Sequence, residues 1–196
     1  MKKKAWVSLV AVVLVLCCAV GGTLAWLTAQ SNNVVNTFTP SNISIGLEET
    51  TGKDYKMIPG WTIDKNPKAW VEDGSEECYL FVKLVWANNT FDTNKSYVSY
   101  TPAAGWTALK DEDGVYYREV SKAGMSKDKG ATNSFPILLN NKVTVSGDIT
   151  SAMMTDFENG TATKPTLTIT AYASQLYKNN TDKFTPAEAW ANAPKD

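Results

Sequence analysis

The chain has no histidine. That absence excludes serine and cysteine hydrolases built on an imidazole base, and every zinc site that relies on imidazole. Cysteine is scarce: Cys17 and Cys18 lie in an apolar run near the start, and Cys78 is the one remaining thiol. No disulfide is therefore expected within the domain. Cys78 stands in Cys78-Tyr79-Leu80-Phe81-Val82-Lys83-Leu84-Val85-Trp86 and reads as a small buried hydrophobe. The competing reading is a reactive or dimerising thiol, as for any odd cysteine in an exported chain. Excess charge is also missing: 19 basic and 20 acidic residues leave a net charge of −1. Without a basic patch, nucleic acid is not an expected partner. Neither a His-Glu-x-x-His helix nor an Asp-Thr-Gly or Asp-Ser-Gly motif occurs. The expectation is a protein that is not an enzyme and uses no metal, cofactor or small-molecule substrate.

What is present begins at the N-terminus. Lys2-Lys3-Lys4 leads into a continuous apolar run that ends in Gly21-Gly22-Thr23-Leu24-Ala25-Trp26-Leu27-Thr28-Ala29. A basic stretch, an apolar stretch and small residues in that order form a secretory signal, here residues 1–25. Cleavage is expected between Ala25 and Trp26, with Ala29 as the alternative, and the product is expected to be secreted and extracellular. Residues 5–27 are also long enough to span a hydrocarbon core of about 30 Å, so an uncleaved anchor is the competing reading. A lipid-modified Cys17 is disfavoured by the bulky Val15-Leu16 before it.

Beyond the signal roughly 170 residues remain, enough for one cored domain. They are rich in Thr, Asn, Val, Tyr and Trp, the mix of strands and their turns. Period-two alternation marks strands at 41–47, 142–147 and 165–173, and a continuous apolar run marks a central strand at 78–86. Shorter candidates lie at 97–100, 106–109 and 115–120. Asp111-Glu112-Asp113-Gly114 between the last two predicts a hairpin turn. Those acids resemble the opening of a calcium loop, but Lys122 occupies the position of its closing glutamate. The acidic run Glu72-Asp73-Gly74-Ser75-Glu76-Glu77 likewise reads as a solvated turn.

Two short helices are expected. One is a brief turn at 150–157. The other starts at Thr185-Pro186-Ala187-Glu188, which combines an N-cap, a proline at the first helical position and a capping-box glutamate. Trp190 would pin that helix to the sheet. Trp61, Trp70, Trp86 and Trp106 could stack on sugars, although scattered aromatics in an all-β domain usually serve as core or rim. Together these signals predict an all-β, antiparallel, jelly-roll-like β-sandwich over residues 41–196 with one or two short helices. An extended segment, 26–40, precedes it. The C-terminal Ala193-Pro194-Lys195-Asp196 carries no Leu-Pro-x-Thr-Gly sorting motif, so surface association would come from assembly or from an uncleaved start.

The basic start, the Gly-Gly-Thr-Leu-Ala-Trp-Leu-Thr exit, Val34-Val35-Asn36-Thr37-Phe38, Tyr55-Lys56-Met57-Ile58-Pro59-Gly60 and the strand from Cys78 to Val85 resemble the TasA/camelysin family. More closely, they resemble secreted proteins of Gram-positive bacteria whose signal is handled by a SipW-type signal peptidase. The resemblance implies a jelly-roll subunit of extracellular biofilm-matrix fibres whose partner is itself. The freed N-terminal segment of one subunit then supplies a strand to the next. In the donor-strand candidate, Val34, Asn36 and Phe38 face one way, Val35 and Thr37 the other. The same segment could instead pair within its own domain. Camelysin is described as a protease, but this chain lacks the residues for such chemistry. The alternative function is a monomeric secreted or surface-bound binding and adhesion module. A Lys–Asn isopeptide cross-link of the kind found in Gram-positive surface fibres is conceivable, with no particular pair indicated by the sequence.

Overall fold

The computed structural model describes residues 42–52 and 55–195. The signal, its Ala25/Trp26 cut, Ala29 and the donor candidates Val34, Val35, Asn36, Thr37 and Phe38 lie outside the described residues. No helix among the described residues is long and apolar enough to cross a membrane.

Among the described residues twelve strands follow in order: β1 Ile45–Glu48, β2 Thr62–Asp64, β3 Lys68–Val71, β4 Cys78–Ala87, β5 Thr90–Asp92, β6 Lys95–Ser96, β7 Val98–Pro102, β8 Thr107–Ala108, β9 Val115–Val120, β10 Phe135–Pro136, β11 Leu138–Val145 and β12 Thr166–Gln175. Helix α1, Ser151–Glu158, separates β11 from β12, and α2, Pro186–Asn192, follows β12. Every pairing between these strands is antiparallel. The result is the expected all-β sandwich with two short helices.

One layer has the order β12-β4-β9-β8. The other is built from β1-β3-β10 and β2-β11-β7. These last two sheets are a single layer broken at Pro67, because β2 runs on into β3 and β10 into β11. The Ile137 N–H donates to the Pro67 carbonyl at 3.0 Å across the break. Asn140 and Asn141, both with positive φ, absorb the change of register along β11. Asparagine tolerates that left-handed backbone better than most residues.

Strand β4 carries two cores on its alternating faces, as a period of two requires. Cys78, Leu80, Val82 and Leu84 point between the layers, against Ala69, Val71, Val98, Leu138 and Val143. Tyr79 and Phe81 point outward, where Trp190 and Ala189 of α2 cover them. Trp190 therefore does pin the last helix, its ring 5.3 Å from both Phe81 and Tyr172. The capping box forms as read from the sequence, with Thr185 and Glu188 bonded reciprocally. Lys178, followed by the Thr185 N–H and hydroxyl, holds the Glu188 carboxyl down at about 2. The cover on β4 is shorter than the apolar run suggests: Val85, beyond the reach of α2, is 46% exposed.

Several strands are displaced from their expected bounds. β1 begins at Ile45 rather than Ser41, β7 reaches Pro102, and only Thr107–Ala108 of the stretch 106–109 pairs. The Asp111–Gly114 hairpin is present, with Asp111 and Gly114 at positive φ. A side chain at Gly114 would collide with the Leu84 carbonyl of β4. In the outer face of β3, Trp70 lies across the strand from Gly46, and its ring occupies the space a side chain there would need. An aromatic covering a cross-strand glycine is a known way to fix register. Gly46→Ala is expected to cost at least about 2 kcal/mol through overpacking. Equilibrium urea unfolding would show this as a lower midpoint with an unchanged slope.

Candidate functional site

Among the described residues, β12 is bonded to β4 along all ten positions and has no partner on its other edge. Ten residues is long for an unprotected edge, which in most proteins is short, charged, bulged or covered. β1 is likewise the terminal strand of its layer and lies beside β12. Both layers of the sandwich thus end on the same side, leaving a seam.

The seam is apolar because of alternation on its two walls. β12 turns Leu167, Ile169, Ala171 and Ala173 toward the core, opposite Trp86, Leu84, Val82 and Leu80 of β4. The β4 partners Leu80, Val82 and Leu84 are fully or nearly fully buried, whereas all four β12 side chains are only half-buried. β1 contributes Ile45 and, at 38% exposed, Leu47. Among the described residues the core therefore thins toward this edge, and no further strand caps it.

Among the described residues, three cavities lie along β12. The first, about 490 Å³, is walled by Met57, Ile63, Trp86, Val98, Val143 and Leu167. The second, about 360 Å³, adjoins it at Glu49 and Leu167 and reaches Leu47 and Ile169. The third, also about 360 Å³, lies at the far end between Ile43 and Ala173. Trp86 is held in the first by Tyr100, stacked at 6.3 Å between ring centres.

A polar cluster closes the wide end. Lys65, only 9% exposed, donates to both carboxylate oxygens of Glu49 at 2.9 and 2.7 Å. The Tyr55 hydroxyl donates to Glu49 Oε1 at 2.6 Å. Burial, then this bond to Glu49, raises the Tyr55 pKa. Asn66 Oδ1 accepts from the N–H groups of Thr50 and Thr51, both at 3.0 Å, fixing the turn that carries this cluster. Sixteen residues separate Glu49 from Lys65, and no local spacing announces the pair.

The remaining sequence candidates do not gather at one place. Cys78 is fully buried, and burial raises its thiol pKa to about 12, which suits the hydrophobic reading. Trp70 and Trp106 are buried, Trp86 lines the seam, and Trp61 is 63% exposed beside Ile58 on a turn. Asp111, Glu112 and Asp113 form the exposed hairpin turn described above. Among the described residues, no group of three or more acidic or cysteine side chains is placed to hold a metal ion.

The class that these observations define is an all-β antiparallel sandwich with an open apolar seam. Comparison with protein-family models, curated proteins and solved structures finds no match to the chain.

Proposed function

We propose that the chain is a secreted structural subunit of extracellular fibres, assembling when the N-terminal strand of one copy enters the sandwich of the next. The observation that carries this reading is the ten-residue edge of β12, without a strand partner among the described residues, above a half-buried apolar floor. An added strand satisfies main-chain groups along such an edge and buries alternate side chains, the physics of strand addition. An extended 34–38 would present Val34, Asn36 and Phe38 on one face, two of them apolar, and Val35 and Thr37 on the other. Removal of the signal by a SipW-type peptidase would free that segment and start assembly outside the cell. A head-to-tail contact whose rotation does not close produces an open filament.

Electron microscopy of the chain beginning at Trp26, beside the same chain lacking residues through Thr37, tests the reading. Filaments are expected only from the longer form. Monomers from both at high concentration would favour the second reading, a binding or adhesion module. The exposed Trp61 and Ile58 give that alternative a surface on which to act.

A further inference from the structure

We propose that the widest cavity of the seam, between Trp86 and Leu167, receives the Phe38 side chain of a second copy, whose residues 34–38 run antiparallel to β12. The inference rests on the strand-donation reading and adds a polarity, a register and a specificity residue to it.

Polarity follows from where the cavity sits. Leu167 is the second residue of β12. With Phe38 opposite Leu167, an antiparallel strand places Asn36 opposite Ile169 and Val34 opposite Ala171, all within β12. A parallel strand would instead place Asn36 and Val34 opposite Pro165 and Thr163, beyond the start of β12. Only the antiparallel arrangement keeps all three side chains over the seam.

The chemistry of the walls agrees with that register. The aromatic, largest member of the donor face meets the largest of these three cavities, which has the indole of Trp86 as a wall. Aromatic pairs of this kind gain from ring geometry in addition to burial. Asn36 falls at the second cavity, where Glu48, Glu49 and Thr50 supply oxygen acceptors for its amide. Val34 meets Ala171, whose small side chain leaves room above it.

Chain length assigns the strand to another copy. Asn42 and Ile43 border the third cavity, beside Ala173. From Ala173 to Leu167 the strand climbs about 20 Å. Phe38 precedes Asn42 by four residues, a reach of at most about 14 Å. The same copy's Phe38 thus falls short of the cavity, whereas a neighbour's is free of that tether.

Cysteine cross-linking in the chain beginning at Trp26 tests this, since its one native thiol, Cys78, is buried. Copies carrying Phe38→Cys are mixed with copies carrying Leu167→Cys or Ala173→Cys, assembled well above the concentration at which Phe38→Ala copies form filaments, and mildly oxidised. Disulfide-linked dimers are expected for the Leu167→Cys mixture and not for Ala173→Cys. Phe38→Ala is expected to raise the protein concentration needed for filaments at least tenfold, with Phe38→Leu recovering part of the loss. Dimers from the Ala173→Cys mixture instead would overturn the register and the placing of Phe38 in this cavity. Dimers between Val34→Cys and Ala171→Cys copies are expected for the antiparallel strand, and their absence where Phe38→Cys and Leu167→Cys copies link would overturn the polarity. Filaments that cross-link in neither mixture would overturn the seam as acceptor while leaving the fibre reading standing. Absence of filaments from the unsubstituted chain would remove both.

Discussion

Glu49→Ala is expected to destabilise the domain by about 3 kcal/mol, because it leaves the Lys65 ammonium buried without its counter-ion. Lys65 retains no other hydrogen bond to its amine among the described residues, and water reaches it poorly. The Tyr55 hydroxyl loses its bond to Glu49 in the same change but keeps the Gly52 carbonyl as an acceptor at 2.6 Å, so the cost falls on Lys65. For a domain of this length that cost corresponds to a fall in Tm of roughly 6–12 °C. Replacing both partners by apolar residues, as in Glu49→Leu with Lys65→Met, is expected to recover most of the loss, since an apolar pair has no desolvation to offset. Calorimetry on the two single variants and the double variant decides the matter. A Glu49→Ala protein within 0.5 °C of the parent would show the pair to be solvated and energetically idle.

Phe81→Ala is expected to cost about 3–5 kcal/mol, the range for truncating a fully buried aromatic. Its ring is fully buried and lies 5.3 Å from Trp190, 6.1 Å from Tyr79 and 6.3 Å from Tyr117. The cavity left behind would undercut the docking of α2 and not the seam, which lies on the opposite face of β4. Urea unfolding should report the loss, while filaments still form at temperatures where the variant stays folded. Loss of assembly at full folding would mean that the two faces of β4 are coupled.

How far the sequence reveals this arrangement depends on whether a feature is local. β4 and β12 announce themselves through long apolar or alternating runs, and β9 as a shorter candidate beside a turn signal. The capping box at Thr185–Glu188 is a four-residue pattern, so α2 is visible without tertiary information. β2 and β3 are missed because Asn66-Pro67 interrupts two runs of three and four residues, too short for periodicity to register. The hairpin of β5 and β6 is missed as well, although Asp92-Thr93-Asn94 is a usable turn signal, and Asn94 takes positive φ there. The Glu49–Lys65–Tyr55 cluster carries no local trace, and neither does the seam. An edge without a partner is a property of topology, fixed by which strands pair across dozens of residues. Trp86 illustrates the limit: its position in an apolar run predicts a strand, but only the end of β4 beside Leu167 makes it the wall of a cavity.

Hydrogen exchange along β12, compared between assembled fibres and dispersed copies of the chain beginning at Trp26, tests the central claim most directly. The alternate N–H groups of Thr166–Gln175 that point away from β4 have no strand partner among the described residues. Assembly is expected to slow their exchange by at least a hundredfold, with little change in the amides already bonded to β4. Unchanged exchange at those outward amides in well-formed fibres would contradict the account and place the contact between copies elsewhere on the sandwich.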